Sequence, residues 1–350
     1  MKRYVLQIFL GLLIGAVALN ATTAICQDKV ERRDKKTDKS ILMSGRIVEE
    51  KIDGVKFRIG VKEDVIPTTE ILRVYYEDVP AAAKQGNLTL FNNEEKEKDQ
   101  AKILKEYQEL QAKMQNPKAS PAVMRYFDFR IAMLQANIAD TDAQKDAAAK
   151  ALVAFVGANA QSWEYPLAAR ALVRLQLSKP DYEAALKTLT PLATSPSVPP
   201  DIKAEADFML IDVLFQANRL DQVKTKIDAA INAKGTTAQQ KARYGLYQIG
   251  IDAQSAGANL DEIVKKLNDV IDKPENDVGV KALAFNLRGD CYFAKGRKRD
   301  AMWSYLWVDV VYTQDKNEHL KAMSRLMKIY EDEKDNDKVQ FYKEKIQRIK

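Results

Sequence analysis

The chain carries one histidine, His319, and two cysteines, Cys26 and Cys291. That inventory limits the chemistry before any fold is considered. A His/Cys metal centre needs several such ligands at short spacing, and the sequence has none. His319 follows Glu318 in a helical pattern and reads as a surface residue. Cys291, between Asp290 and Tyr292, reads as a small buried hydrophobe. Two cysteines at these positions make no disulfide framework. Neither a glycine-rich phosphate loop nor a nucleophile elbow occurs. Acids are spread throughout, but a catalytic carboxylate pair is recognised by its separation in space, which spacing in sequence does not supply. The residue types therefore point away from catalysis, with no metal or cofactor site expected, and towards binding.

Charge narrows the choice of partner. The chain has 55 Lys and Arg against 49 Asp and Glu, a formal net charge of +6. Lys2 and Arg3 precede an apolar run from Val5 to Leu19 and a small, polar exit, Asn20-Ala21-Thr22-Thr23-Ala24. This is the pattern of a secretory signal peptide over residues 1–26, with an apolar run too short to span a bilayer comfortably. Cleavage would remove two basic residues and leave a mild, dispersed charge, unlike the concentrated basic face that nucleic acid requires. Cys26 follows Thr23-Ala24-Ile25, and Ile25 departs from the small residue that precedes a lipidated cysteine. Membrane association is expected only if the leader is retained or Cys26 is lipidated.

Residues 27–39 are charged at nearly every position and read as a flexible linker. From residue 40 to 80 the period becomes two. Val55, Phe57, Ile59 and Val61 alternate with Lys56, Arg58, Gly60 and Lys62, and Asp53-Gly54 signals a hairpin. Val65-Ile66 and Ile71–Tyr76 supply further short strands. The module resembles SH3-like or Sm-like small barrels in strand length and order. Residues 92–116 read as one connecting helix, with Ile103, Tyr107, Leu110 and Met114 on one stripe. Asn116-Pro117 and Ser120-Pro121 end it.

From residue 121 to 350 the pattern is helical and recurrent. Ala185, Val223, Ile263, Ala301 and Val339 occupy equivalent early positions in second helices, at intervals of 38, 40, 38 and 38 residues. A further step back of 38 from Ala185 reaches Ala147. The spacing predicts about six helical hairpins, each unable to bury its apolar faces alone.

The unit from Lys281 to Tyr312 shows the pattern best: Phe285, Gly289, Tyr292, Ala301 and Tyr305. It resembles a tetratricopeptide repeat, in which a small residue, an aromatic three positions on and an alanine twelve positions on let two helices approach closely. Leu172, Tyr182, Ala185 and Leu189 fit a second unit that has Val173 at the small position. Leu210, Leu214, Ile227 and Ala230 fit a third that departs at Ile211 and Val223. Extra residues beyond the family's period of about 34 fall in loops such as Thr194–Pro200. The resemblance implies a mainly α solenoid whose first helices line a groove. Its groove positions here would be Arg170 and Arg174, then Phe208, Asp212 and Phe215, then Asn286, Asp290 and Phe293. Trp303 and Trp307, on the face of their helix away from Ala301, are expected in the core. Trp163 and Tyr165 are expected to staple one hairpin to the next.

These readings converge on an exported, non-catalytic scaffold of the periplasm or cell envelope. It would hold protein or peptide partners in the groove. The alternative is a structural envelope component that associates with copies of itself.

Overall fold

The computed structural model describes residues 27–349 apart from 35, 36, 38, 95 and 234, with only the backbone of 347–349. The leader expected over 1–26 lies outside the described residues. The chain is mainly helical, with a small N-terminal antiparallel sheet. Its strands are β1 (Asp28–Arg33), β2 (Ser40–Lys51), β3 (Gly54–Ile59), β4 (Lys62–Pro67) and β5 (Ile71–Tyr75), in the order β4-β3-β2-β1-β5.

The alternation at Val55 and Phe57 sets the inner face of this sheet, together with Val30, Ile66 and Val74, all buried. Asp53-Gly54 does make the hairpin. Gly54 has φ +155°, and a Cβ there would lie 2.1 Å from the Ile66 carbonyl oxygen, so only glycine fits. Residues 28–33 are not the linker expected over 27–39. They form β1, between β2 and β5, because their charges are used locally. Glu31 pairs with Arg73, and Asp28 accepts the Ile47 and Glu77 amides at 2.9 Å each. A strand with one buried apolar residue and satisfied charges carries little hydrophobic period. The edge amide of Val74 on β5 donates to the Tyr126 hydroxyl at 3.1 Å, which occupies a group that an open edge would expose.

The helix expected over 92–116 is shorter, and residues 92 and 93 belong to a separate helix before it. α1 (Ala81–Asn93) ends before it, and α2 (Gln100–Lys113) starts where the Asp99 carboxylate accepts the Ala101 and Lys102 amides at 3.0 and 3.2 Å. The stripe Ile103, Tyr107, Leu110 and Met114 is buried.

Twelve further helices follow: α3 (Pro121–Ile138), α4 (Asp142–Ala158), α5 (Tyr165–Ser178), α6 (Tyr182–Thr194), α7 (Pro200–Gln216), α8 (Leu220–Ile231), α9 (Ala238–Gln254), α10 (Leu260–Asp272), α11 (Val278–Ala294), α12 (Lys298–Val310), α13 (Lys316–Glu333) and α14 (Asn336–Ile349). Proline in the first turn opens α3, α5 and α7, and capping boxes at Thr141 and Thr237 open α4 and α9. Each helix packs on the next, and α9, α11 and α13 also touch in succession. Ala185, Val223, Ile263 and Ala301 are buried under their neighbours. In α4 the buried residue is Ala148, while Ala147 is exposed, one position off the extrapolated step. At Gly289 the ring of Tyr305 on α12 packs directly on α11: a Cβ there would stand 2.3 Å from it.

Three side-chain cores run along the chain. One joins the sheet to α1–α5, a second joins Ile52 to α5–α7, and the third spans α7 to α14. Trp163, just before α5, packs back on α3 of the preceding hairpin and also reaches the sheet. It is buried against Tyr126 and Phe129, and its indole nitrogen donates to Glu50 on β2 at 3.1 Å. Arg125 on α3 pairs with Glu50 at 2.8 Å and with Glu164 at 3.1 Å, completing a polar lock between sheet and helices. Among the described residues no helix is long and apolar enough to cross a membrane.

Candidate functional site

Residues of α7, α9, α10, α11 and α13 line a cavity of about 480 Å³. Its apolar side is made by Phe215, Gly250, Ala253, Ile263, Leu283 and Leu287. Gly250 contributes space: a Cβ there would come within 2.8 Å of the Phe215 ring. Small residues Ala258 and Ala294 widen the mouth, beside Cys291. Burial pushes the Cys291 thiol up to about 11, which leaves it protonated and a poor nucleophile at neutral pH.

The polar side is a network that joins α7, α9, α11 and α13. Lys321 on α13 reaches Asp212 on α7 at 2.7 Å and Glu318 on its own helix at 2.8 Å. Tyr247 on α9 donates its hydroxyl to Asp212 at 3.2 Å. Asn286 on α11 donates to both the Glu318 carboxylate, at 2.8 Å, and the Glu318 carbonyl, at 3.0 Å. Asp290, one turn on, accepts the Tyr305 hydroxyl at 2.8 Å and the Arg325 guanidinium at 2.6 Å. Glu318, Lys321 and Arg325 recur at three- and four-residue steps, so one face of α13 supplies all three.

Burial sets the electrostatics. It pushes the Asp290 carboxyl above the usual range, with Arg325 opposing. Burial also works against the Glu318 charge, but Lys321, Arg243 and the Asn286 hydrogen bond hold that carboxyl below its ordinary value. Lys321 is held above its ordinary value: burial disfavours its charge, and Asp212 and Glu318 outweigh that. The network leaves one conspicuous gap. Asn286 is 1% exposed; its amide nitrogen donates twice to Glu318, and its Oδ1 has no hydrogen-bond partner. The Arg325 Nη1 is likewise unmatched. Both atoms are closed off from solvent.

Of the eight groove positions, Asp212, Phe215, Asn286 and Asp290 line this cavity. Phe208 stacks on Tyr244 at 4.8 Å, beneath Arg243. Phe293 is half-buried in the same core without lining the cavity. Arg170 and Arg174 sit on α5, where Arg170 pairs with Glu205 at 3.1 Å. Burial and the Arg170 charge lower the pKa of Arg174. Sequence reasoning did not single out Tyr247, Glu318, Lys321 or Arg325. The signal for the last three is their common face on α13.

Two further expectations are corrected. His319 is not a surface residue but 4% exposed. Its Nε2 is 2.8 Å from Asp309, which also holds Lys345 at 2.7 Å and the Tyr342 hydroxyl at 3.3 Å. This cluster ties α14 to α12 and α13. Trp303 and Trp307 are not core: they are 55% and 47% exposed. α12 uses Ala301, Tyr305 and Val308 to pack, which turns the tryptophans outward.

The chain matches no protein-family model and no curated protein. Its site is therefore argued from its own chemistry.

Proposed function

We propose that the chain is an exported, non-catalytic scaffold. In this reading α3 to α14 form a tetratricopeptide-like solenoid of six hairpins, preceded by an SH3-like module. A protein or peptide partner docks in the cavity between α7, α9, α11 and α13. The observation that carries the reading is the pairing of a preformed apolar lobe with a charged wall made by Asp212, Glu318, Lys321 and Arg325. A peptide supplies both kinds of match: a bulky apolar side chain for the lobe, and polar groups for the charged wall.

The same network argues against chemistry at this site. Both carboxylate oxygens of Glu318 are engaged, one by Lys321 and one by Asn286. Those of Asp290 are taken by Tyr305 and Arg325, and those of Asp212 by Tyr247, Lys321 and Gln216. Acids held this way position a ligand; they have no free oxygen poised for proton transfer. Export rests on the leader pattern at residues 1–26, with the periplasm or envelope as the compartment.

The test is affinity capture from an envelope extract, comparing the unaltered chain with Ala253→Trp, which fills the lobe without touching the ionic network. Arg174→Glu, away from the cavity, is the control. The reading expects a protein partner captured by the unaltered chain and by the control, and lost with Ala253→Trp. Equal capture by all three, or capture of nothing, refutes it.

A further inference from the structure

We propose that α5 carries a site for a small oxyanion, a phosphate or carboxylate group, built on Arg174 with Arg170 beside it. The two arginines stand one turn apart, so one face of α5 presents both guanidinium groups. Like charges at this spacing repel. Arg170 has a counter-charge, Glu205 on α7, at 3.1 Å. Arg174 has none. It is half-buried, yet among the described residues it makes no hydrogen bond and no ion pair, and the neighbouring charge that bears on it is that of Arg170. None of its nitrogens is closed off from solvent, so a ligand can reach them.

Arg174 departs from the rest of the array. Elsewhere the half-buried cations of the first helices hold carboxylates: Arg130 on α3 holds Glu94, Arg243 on α9 holds Asp315, and Lys321 and Arg325 on α13 hold Asp212 and Asp290. Arg288 on α11 donates to Asn268 and Ser304. A charge drawn out of water costs free energy unless it is paired. At Arg174 burial and the Arg170 charge both act against the cation, and no described carboxylate opposes them. A bound oxyanion supplies the missing counter-charge. It fits by shape as well as sign, because a guanidinium offers two parallel N–H donors to two oxygens of one carboxylate or phosphate group. Two arginines against one glutamate leave an excess of one positive charge, which selects an anion over a neutral ligand. Neither arginine lines the cavity between α7 and α13, so this site fills or empties independently of the docking proposed above.

Titration of the full chain with inorganic phosphate tests the site, followed through the arginine Nε–H signals in nitrogen-15 NMR. Sodium chloride at equal ionic strength is the control, and succinate in a parallel titration distinguishes a carboxylate ligand from a phosphate. The expected result is a saturable shift of the Arg170 and Arg174 signals with phosphate or succinate, and none with chloride. Arg174→Gln should raise the dissociation constant, read at Arg170, by at least about tenfold. The melting temperature is measured alongside. Without added anion, Arg174→Gln should leave it unchanged or raise it, because the variant sheds an uncompensated charge. Phosphate or succinate should raise it in the unaltered chain and not in the variant. No saturable shift with either anion, binding that persists unweakened in Arg174→Gln, or a melting temperature lowered by that substitution in the absence of anion overturns the proposal.

Discussion

Lys321 on α13 lies 2.7 Å from Asp212 on α7, although α8 to α12 separate them in the chain. This contact, with the Tyr247 and Asn286 hydrogen bonds beside it, fixes four of the helices that line the cavity. Removing the lysine leaves Asp212 and Glu318 buried without their shared cation. Lys321→Ala is expected to cost on the order of 3 kcal/mol in urea unfolding. Adding Asp212→Asn should return part of that loss. A neutral effect of Lys321→Ala would show that the network does not hold these helices.

Two glycines should respond differently to alanine. At Gly289 the new methyl meets the Tyr305 ring, which is buried and fixed by Asp290. Gly289→Ala should cost about 1–3 kcal/mol. At Gly250 it meets the edge of Phe215, a half-buried ring at the cavity. Gly250→Ala should leave stability within about 1 kcal/mol while weakening partner capture. Thermal unfolding and capture, measured on both variants, check the contrast.

The junction between sheet and helices centres on Trp163. Trp163→Phe removes the indole donor to Glu50 and part of the buried ring, and should cost about 2 kcal/mol. Trp163→Ala also removes the ring from Tyr126 and Phe129, and should cost on the order of 4 kcal/mol. Hydrogen exchange in Trp163→Ala should quicken in β2 as well as in α3. Loss of protection confined to α5 would contradict the lock.

Much of the helical part was legible because its signal is periodic. Ala185, Val223, Ile263 and Ala301 recur at nearly constant steps, and each is buried beneath a neighbouring helix. Asp212, Phe215, Asn286 and Asp290 were found because the resemblance to a tetratricopeptide repeat implies groove positions on the first helices. The α13 contribution was obscured by the weak repeat pattern of the last unit, so Lys321 and Arg325 escaped notice. β1 was missed because its stability comes from charge pairs that periodicity does not register. Trp303 and Trp307 went to the core because both faces of an internal repeat helix are ordinarily covered, whereas this face of α12 leaves them 55% and 47% exposed.

The Asp309 cluster gives a pH dependence. Burial disfavours the Asp309 charge, yet the hydrogen bonds from His319 and Lys345 hold its carboxyl below the ordinary 3.8. A carboxyl depressed in the folded state contributes stability that is present above its unfolded value and lost as pH falls through the folded value. Asp309→Asn should cost on the order of 3 kcal/mol at neutral pH. It should also flatten the decline in melting temperature below about pH 4. An unchanged acid limb would contradict this assignment.

The central claim is that a protein partner occupies the cavity between α7 and α13. Site-specific photocrosslinking tests it most directly, with a photoreactive residue at Gln254 or Gln216 on the rim, both exposed, and at Arg170 as the distant control. The account predicts the same protein adduct from Gln254 and Gln216, and none from Arg170. Adducts from Arg170 alone, or none from either rim position, would contradict it.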